Sequence, residues 1–120
     1  VDFQSVCKAV PIRESTLRLL IKQGIVTPTR DRGRLHFDKM QIIAISLHEE
    51  CRQNGAKGKE IDEAAKTLAA MTERELLNRF LQGFQTIRLK NSGRDVDVWQ
   101  LWQATNEDLR TLRRQHGGPS

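Results

Sequence analysis

Apolar residues recur every three or four positions through most of this chain, the spacing of helices, with two short stretches where residue character alternates instead. Phe3, Val6 and Cys7 share one face of a short helix, which Asp2 is placed to cap and Pro11 to end. Leu17, Leu20 and Ile21 repeat that spacing, predicting a second helix over 13–23 closed by Gly24. Only Val10 to Ile12 separate the two, so the opening residues read as a helix-turn-helix.

Beyond Gly24 the pattern changes. Pro28 and the Asp31-Arg32-Gly33 triplet signal turns, while Arg30, Arg32, Arg34 and His36 fall at every second position. This predicts a hairpin, or wing, over 29–37 with its tip at Asp31 to Gly33. Asp38 then caps a longer helix carrying Ile42, Ile43, Ile45, Leu47 and Cys51 and ending at Asn54-Gly55. Ile61, Ala64, Ala65 and Leu68 predict the next helix. Thr72 with Glu75 forms a capping box for another, with Leu76, Leu77, Phe80 and Leu81 as its apolar residues. Two apolar runs flanking KNSGRD predict a second hairpin, with its tip at Ser92-Gly93 and Ile87, Leu89, Val96 and Val98 inward. Thr105 or Asn106 is expected to cap a last helix, ahead of a frayed tail. The expected fold is mainly α: a winged helix-turn-helix head over 1–71, a helical and hairpin region over 72–115, and a flexible tail over 116–120.

Length and composition narrow the function. A chain of 120 residues with 38% hydrophobic and 29% charged residues suits one compact unit with a modest core. There is no apolar run near the ~18 residues that span a bilayer and no signal-peptide pattern, so the expected compartment is the cytoplasm, at the nucleoid. Cys7 and Cys51 stand alone, without a CxxC pair or a histidine at ligand spacing, and are expected as reduced core thiols with no metal. The neighbouring acids Glu49-Glu50, Glu60 with Asp62, and Asp95 with Asp97 sit at spacings that point apart. No nucleotide-binding, HExxH or GxSxG motif is present. An enzyme, a cofactor and a small-molecule ligand are therefore not expected.

Charge points elsewhere. The chain carries 20 Lys and Arg against 15 Asp and Glu, and a pI near 9.7. The surplus is concentrated early: Arg13, Arg18, Lys22, Arg30, Arg32 and Arg34 face only Glu14 and Asp31 over the second helix and wing. Arg13, Ser15, Thr16 and Arg18 occupy the N-terminal half of the second helix, the end that enters a major groove in helix-turn-helix proteins. There arginine pairs with guanine, and hydroxyls or arginine grip phosphate. Arg30, Arg32, Arg34 and His36 on the wing suit the flanking backbone or minor groove.

These residues resemble the winged-helix regulators of the mercury-resistance (MerR) type. Phe3, Val6, Cys7, Ile12, Thr16, Leu17, Arg18, Gly24, Ile25, Val26 and Pro28 fall into that frame without a gap. Phe37 and Asp38 match its wing exit and helix cap, and Gly55, Glu60 and Ile61 its turn into a fourth helix. The resemblance covers about residues 2–70 and implies that Arg18 holds phosphate, that Arg13, Ser15 and Thr16 face base edges, and that wing residues touch flanking DNA. Leu19 and Leu20 replace the family's aromatic pair, Leu35 stands where it has a wing arginine, and the chain has no tyrosine. After residue 70, Gly83 and Ser92-Gly93 interrupt the heptads that the family's dimerising coiled coil requires.

Val98, Trp99, Leu101 and Trp102 are the candidate interface of the tail, since aromatic clusters anchor protein contacts and a homodimer suits paired half-sites. The first expectation is a sequence-specific transcriptional regulator binding double-stranded DNA. The alternatives are an excisionase-like DNA-bending protein of a mobile element and a protein-interaction adaptor with a solvated basic face.

Overall fold

A computed structural model describes residues 1–56, 58–90 and 92–116. Asn91 and residues 117–120 of the expected tail lie outside the described residues, as does Lys57.

The local signals at the start of the chain act as expected. The Asp2 side chain accepts the Ser5 N–H at 2.9 Å and caps α1 (Phe3–Ala9). That contact holds the Asp2 carboxyl below the usual carboxylate range. A turn leads to α2 (Glu14–Lys22), which buries Leu17 and Leu20. Gly24, at φ +73°, ends α2: its N–H reaches the Ile21 carbonyl at 3.0 Å and the Ile25 N–H reaches Leu20 at 3.0 Å. A side chain with a Cβ is strained at that φ, so glycine makes the reversal possible.

The wing follows as β1 (Thr29–Asp31) paired antiparallel with β2 (Arg34–His36). Phe37 then plunges into the core at 1% exposure, and its N–H donates to the Val1 carbonyl at 2.7 Å. Asp38 caps α3 (Lys39–Gln53) by accepting the Gln41 N–H at 2.8 Å. Met40, Ile42, Ile43, Ala44, Ile45, Leu47 and Cys51 are all buried. Gln41, His48 and Glu49 are buried beside them, and a helix buried on nearly every side belongs at the centre of a fold. Both α4 (Gly58–Ala70), through Ile61, Ala64, Ala65 and Leu68, and a later helix pack against it.

Thr72 and Glu75 form the expected capping box of α5 (Glu73–Leu81), with Thr72 Oγ1 accepting the Glu75 N–H at 3.1 Å. The buried stripe is narrower than the sequence implied: Leu76 and Phe80 are inside, whereas Leu77 and Leu81 face solvent. The second hairpin pairs β3 (Thr86–Arg88) with β4 (Asp95–Asp97) in the register Ile87 opposite Val96. Its tip is tied to the joint between α3 and α4. The Ser92 N–H donates to buried Glu60 at 2.9 Å, and Arg94 donates to the Asn54 carbonyl at 2.8 Å.

The last segment corrects one expectation. No new helix starts at Thr105 or Asn106: α6 runs without interruption from Val98 to His116. Asp97 accepts the Gln100 N–H at 3.1 Å, as a cap would, and Thr105 lies fully buried in the middle of the helix. α6 packs against α1 and α3, and one apolar cluster extends from Val6 to Val98. The architecture is thus mainly helical with two small antiparallel hairpins. No helix among the described residues is long and apolar enough to cross a membrane.

Phe80 meets Trp99 and Trp102 edge-to-face and the two indoles are tilted at 38°, with ring centroids 5.0–5.9 Å apart. Glu73 Oε2 accepts both the Trp102 indole N–H at 2.9 Å and Lys39 Nζ at 2.8 Å. One carboxylate therefore joins the starts of α3 and α5 to α6. Lys39 foremost, with Trp102, holds the Glu73 carboxyl below its ordinary range against partial desolvation. Its depressed value contributes stability that is present above the ordinary carboxylate pKa, about 4.3, and lost as pH falls through the folded value. Since about a third of that side chain is exposed, Glu73→Gln is expected to cost only ~1 kcal/mol at neutral pH. Urea unfolding at pH 7 and pH 3 checks this: the gap between wild type and variant should shrink at the lower pH. A gap that stays constant would contradict the charged contact.

Candidate nucleic-acid interface

α2 divides its residues cleanly. Leu17, Leu20 and half-buried Ile21 point into the core, while Ser15, Arg18, Leu19 and Lys22 point outward on the opposite face. Arg13 stands at the N-cap with its side chain exposed, and no side chain caps the first N–H groups of α2. Thr16 is half-buried at the border of the inward face, so the outward surface is centred on Ser15, Arg18 and Lys22. Leu19, 49% exposed, belongs to this surface although sequence reasoning placed it only as a replaced aromatic. Its signal was present in the helical spacing Ser15, Leu19, Lys22.

Arg18 is held from two sides. Its guanidinium lies 5.2 Å from the centroid of the Phe3 ring and 3.6 Å from the Glu14 carboxylate, and Gln4 donates to that carboxylate at 3.2 Å. The pair is exposed, so it fixes the direction of the side chain more than it neutralises it. Arg18 therefore projects from the α1–α2 junction with most of its surface free.

The wing corrects the period-two reading. Arg30 is paired with Leu35, Asp31 with Arg34, and Thr29 with His36. Paired residues share a face, so Arg34 and His36 lie on one side of the ribbon and Arg30 on the other. Alternation fails because a two-residue turn separates the strands: Arg32 (φ +52°) and Gly33 (φ +79°) both adopt left-handed backbone. That is the geometry of the tight hairpin turn whose twist matches the strands. It costs an arginine about 1 kcal/mol relative to glycine and sets Arg32 at the tip. Half-buried Leu35 turns its face of the ribbon toward the body. The Arg34 and His36 face is lined by acids too, since Asp2 and Asp31 share a groove of about 510 Å³ with Arg32 and Arg34. The Val1 amine lies 3.1 Å from His36 Nδ1.

All the charged residues assigned to the helix and wing (Arg13, Arg18, Lys22, Arg30, Arg32, Arg34) are exposed, and Arg18 alone among them is ion-paired within the described residues. The residues assigned to the tail interface fare differently. Val98 is 1% exposed and offers nothing to a partner, because it fills the core where β4 turns into α6. Trp99, Leu101 and Trp102 are half-buried against the same core. The large apolar side chains left in solvent in this half are Leu77, Leu81 and Phe84, with the Arg79 guanidinium 5.7 Å from the Phe84 ring centroid.

A second polar cluster sits between α3 and α4. His48 Nε2 lies 3.2 Å from Asp62, and buried Glu49 accepts from Arg52 at 2.8 Å. Cys7 and Cys51 are free, and burial raises both thiols above their ordinary value. No group of three or more metal-ligating side chains occurs among the described residues. No family model, no curated protein and no solved structure matches this chain.

Proposed function

We propose that this chain binds double-stranded DNA as a sequence-specific transcriptional regulator, with α2 in the major groove and the wing on the flanking backbone or minor groove. The observation that supports this reading is the set of six exposed cations on α2 and the wing, of which Arg18 alone is ion-paired among the described residues, with Asp2 and Asp31 in the groove beside Arg32 and Arg34. Side chains that only solubilise a surface are usually interleaved with acids; here one helix and one ribbon carry six cations against Glu14 and Asp31. The MerR-type resemblance of residues 2–70 supplies the same assignment independently of the charge count. Arg13 and Ser15 at the uncapped start of α2 are the side chains placed for base edges and the first phosphate. Arg34 and Arg32 hold the backbone beside them. A single helix of this length covers only a few base pairs, so two copies on paired half-sites belong to this reading.

The test is selection of bound sequences from a random duplex pool, repeated with Arg13→Ala and Arg34→Ala. The first substitution is expected to relax the preference at one or two positions, a loss of ~1–3 kcal/mol of discrimination. The second is expected to weaken all sequences alike. Unchanged binding in both variants would overturn the proposal.

A further inference from the structure

Arg113, near the end of α6, lies beside the exit of the wing, although the sequence separates them by most of the chain. A groove of about 430 Å³ runs between the two, lined by His36 and Phe37 on one wall and by Leu109, Leu112 and Arg113 on the other. Thr105, Leu109 and Leu112 form the inward stripe of α6, at helical spacing. Arg113 emerges on one flank of that stripe, with Arg110 and Arg114 next to it at i, i+3 and i, i+4. Asp108 emerges on the opposite flank, where it shares a separate groove with Lys8, Thr111 and Gln115. Asp108 thus turns toward the end of α1 and Arg113 toward the wing, while exposed Glu107 sits three residues before Arg110 on the outward face that Arg110 and Arg114 share. From Leu109 to Gln115 the segment carries three arginines and no acid. All three arginines are exposed, and none is ion-paired among the described residues.

We infer that Arg110, Arg113 and Arg114 form a third phosphate-binding element, which continues the basic surface of the wing past His36 and lengthens the DNA tract that the protein covers. This rests on the proposed DNA-binding function and adds to it a contact that carries no sequence information. Arginine suits the task because its planar fork grips phosphate in two bonds and is never deprotonated in proteins. The i, i+3, i+4 arrangement presents the three guanidiniums along one turn of helix, as a strand of backbone phosphates passing the wing would require. Asp38, the acid that lines the groove, is occupied as the cap of α3, and exposed Glu107 is the carboxylate that shares the outward face with Arg110 and Arg114.

The experiment uses the full chain and a duplex chosen by selection with the wild type, and reads the salt dependence of affinity together with the length of DNA protected from cleavage. R110A/R113A/R114A is expected to reduce the slope of log affinity against log salt by about 2 to 3. It should also shorten protection on the wing side and leave the preferred sequence unchanged. The triple Arg→Lys variant, which keeps the charge but not the two-bond grip, is expected to keep the wild-type salt slope, and thermal unfolding confirms that both variants are folded. A wild type that binds with a slope and footprint matched by the alanine variant overturns this inference and leaves the DNA-binding function standing. A wild type that binds no duplex overturns both.

Discussion

Phe37→Ala is expected to lower the stability of the chain by about 3–5 kcal/mol, a large share of the ~5–15 kcal/mol that holds a domain of this size together. The ring is buried to 1% exposure at the point where the wing re-enters the body, and the residue's own N–H is bonded to Val1. Truncation leaves a cavity in the buried cluster that Phe37 joins, and a close-packed interior collapses only in part to fill it. The wing then loses its anchor, so Arg32 and Arg34 lose their fixed placement before the helices unfold. Urea unfolding measures the first effect and hydrogen exchange at the wing amides the second. Leu81→Ala, at a side chain 86% exposed, is the matched comparison and should stay within ~0.5 kcal/mol of wild type. A Phe37→Ala variant that loses less than 1 kcal/mol would show that the wing is not held by this ring.

What the sequence made legible was the chemistry of short range. Asp2, Asp38 and the Thr72–Glu75 pair each satisfy backbone groups within three residues, and Gly24 reverses the chain through its own φ, so these boundaries follow from composition alone. The wing was legible as a hairpin but not in the sidedness of its arginines. That sidedness depends on whether the turn has two residues or three, and one residue more or less moves every side chain to the other face. The start of α6 was misread because Val96 and Val98 continue the alternation of a strand, and the cap that ends it, Asp97, is itself part of that alternation. The fate of Trp99 and Trp102 is tertiary. Whether two tryptophans face a partner or a neighbouring helix depends on where Phe80 and Glu73 lie, and no local pattern encodes that. In the candidate site, the exposed face of α2 follows from helical periodicity, which also admits Leu19. The approach of Arg113 to His36 requires α6 to fold back along α1.

The second large effect is on binding itself. If about four of the cations Arg13, Arg18, Lys22, Arg30, Arg32 and Arg34 meet phosphates, each displaces condensed counterions from the duplex. The logarithm of affinity then falls against the logarithm of salt with a slope of about −3.6. Between 50 and 200 mM salt that amounts to a loss of about 10²-fold, as large as the upper end of the effect of a single substitution on the helix. Arg34 and His36 share one wing face and Arg30 the other, so a duplex lying on a single face engages the smaller number.

The most direct measurement is therefore a titration of the wild-type chain with a fluorescent duplex across that salt range. Binding at low salt is expected to weaken along a slope of about −3.6 or steeper. Binding that ignores salt, or no binding to duplex DNA at low salt, would contradict the proposed function.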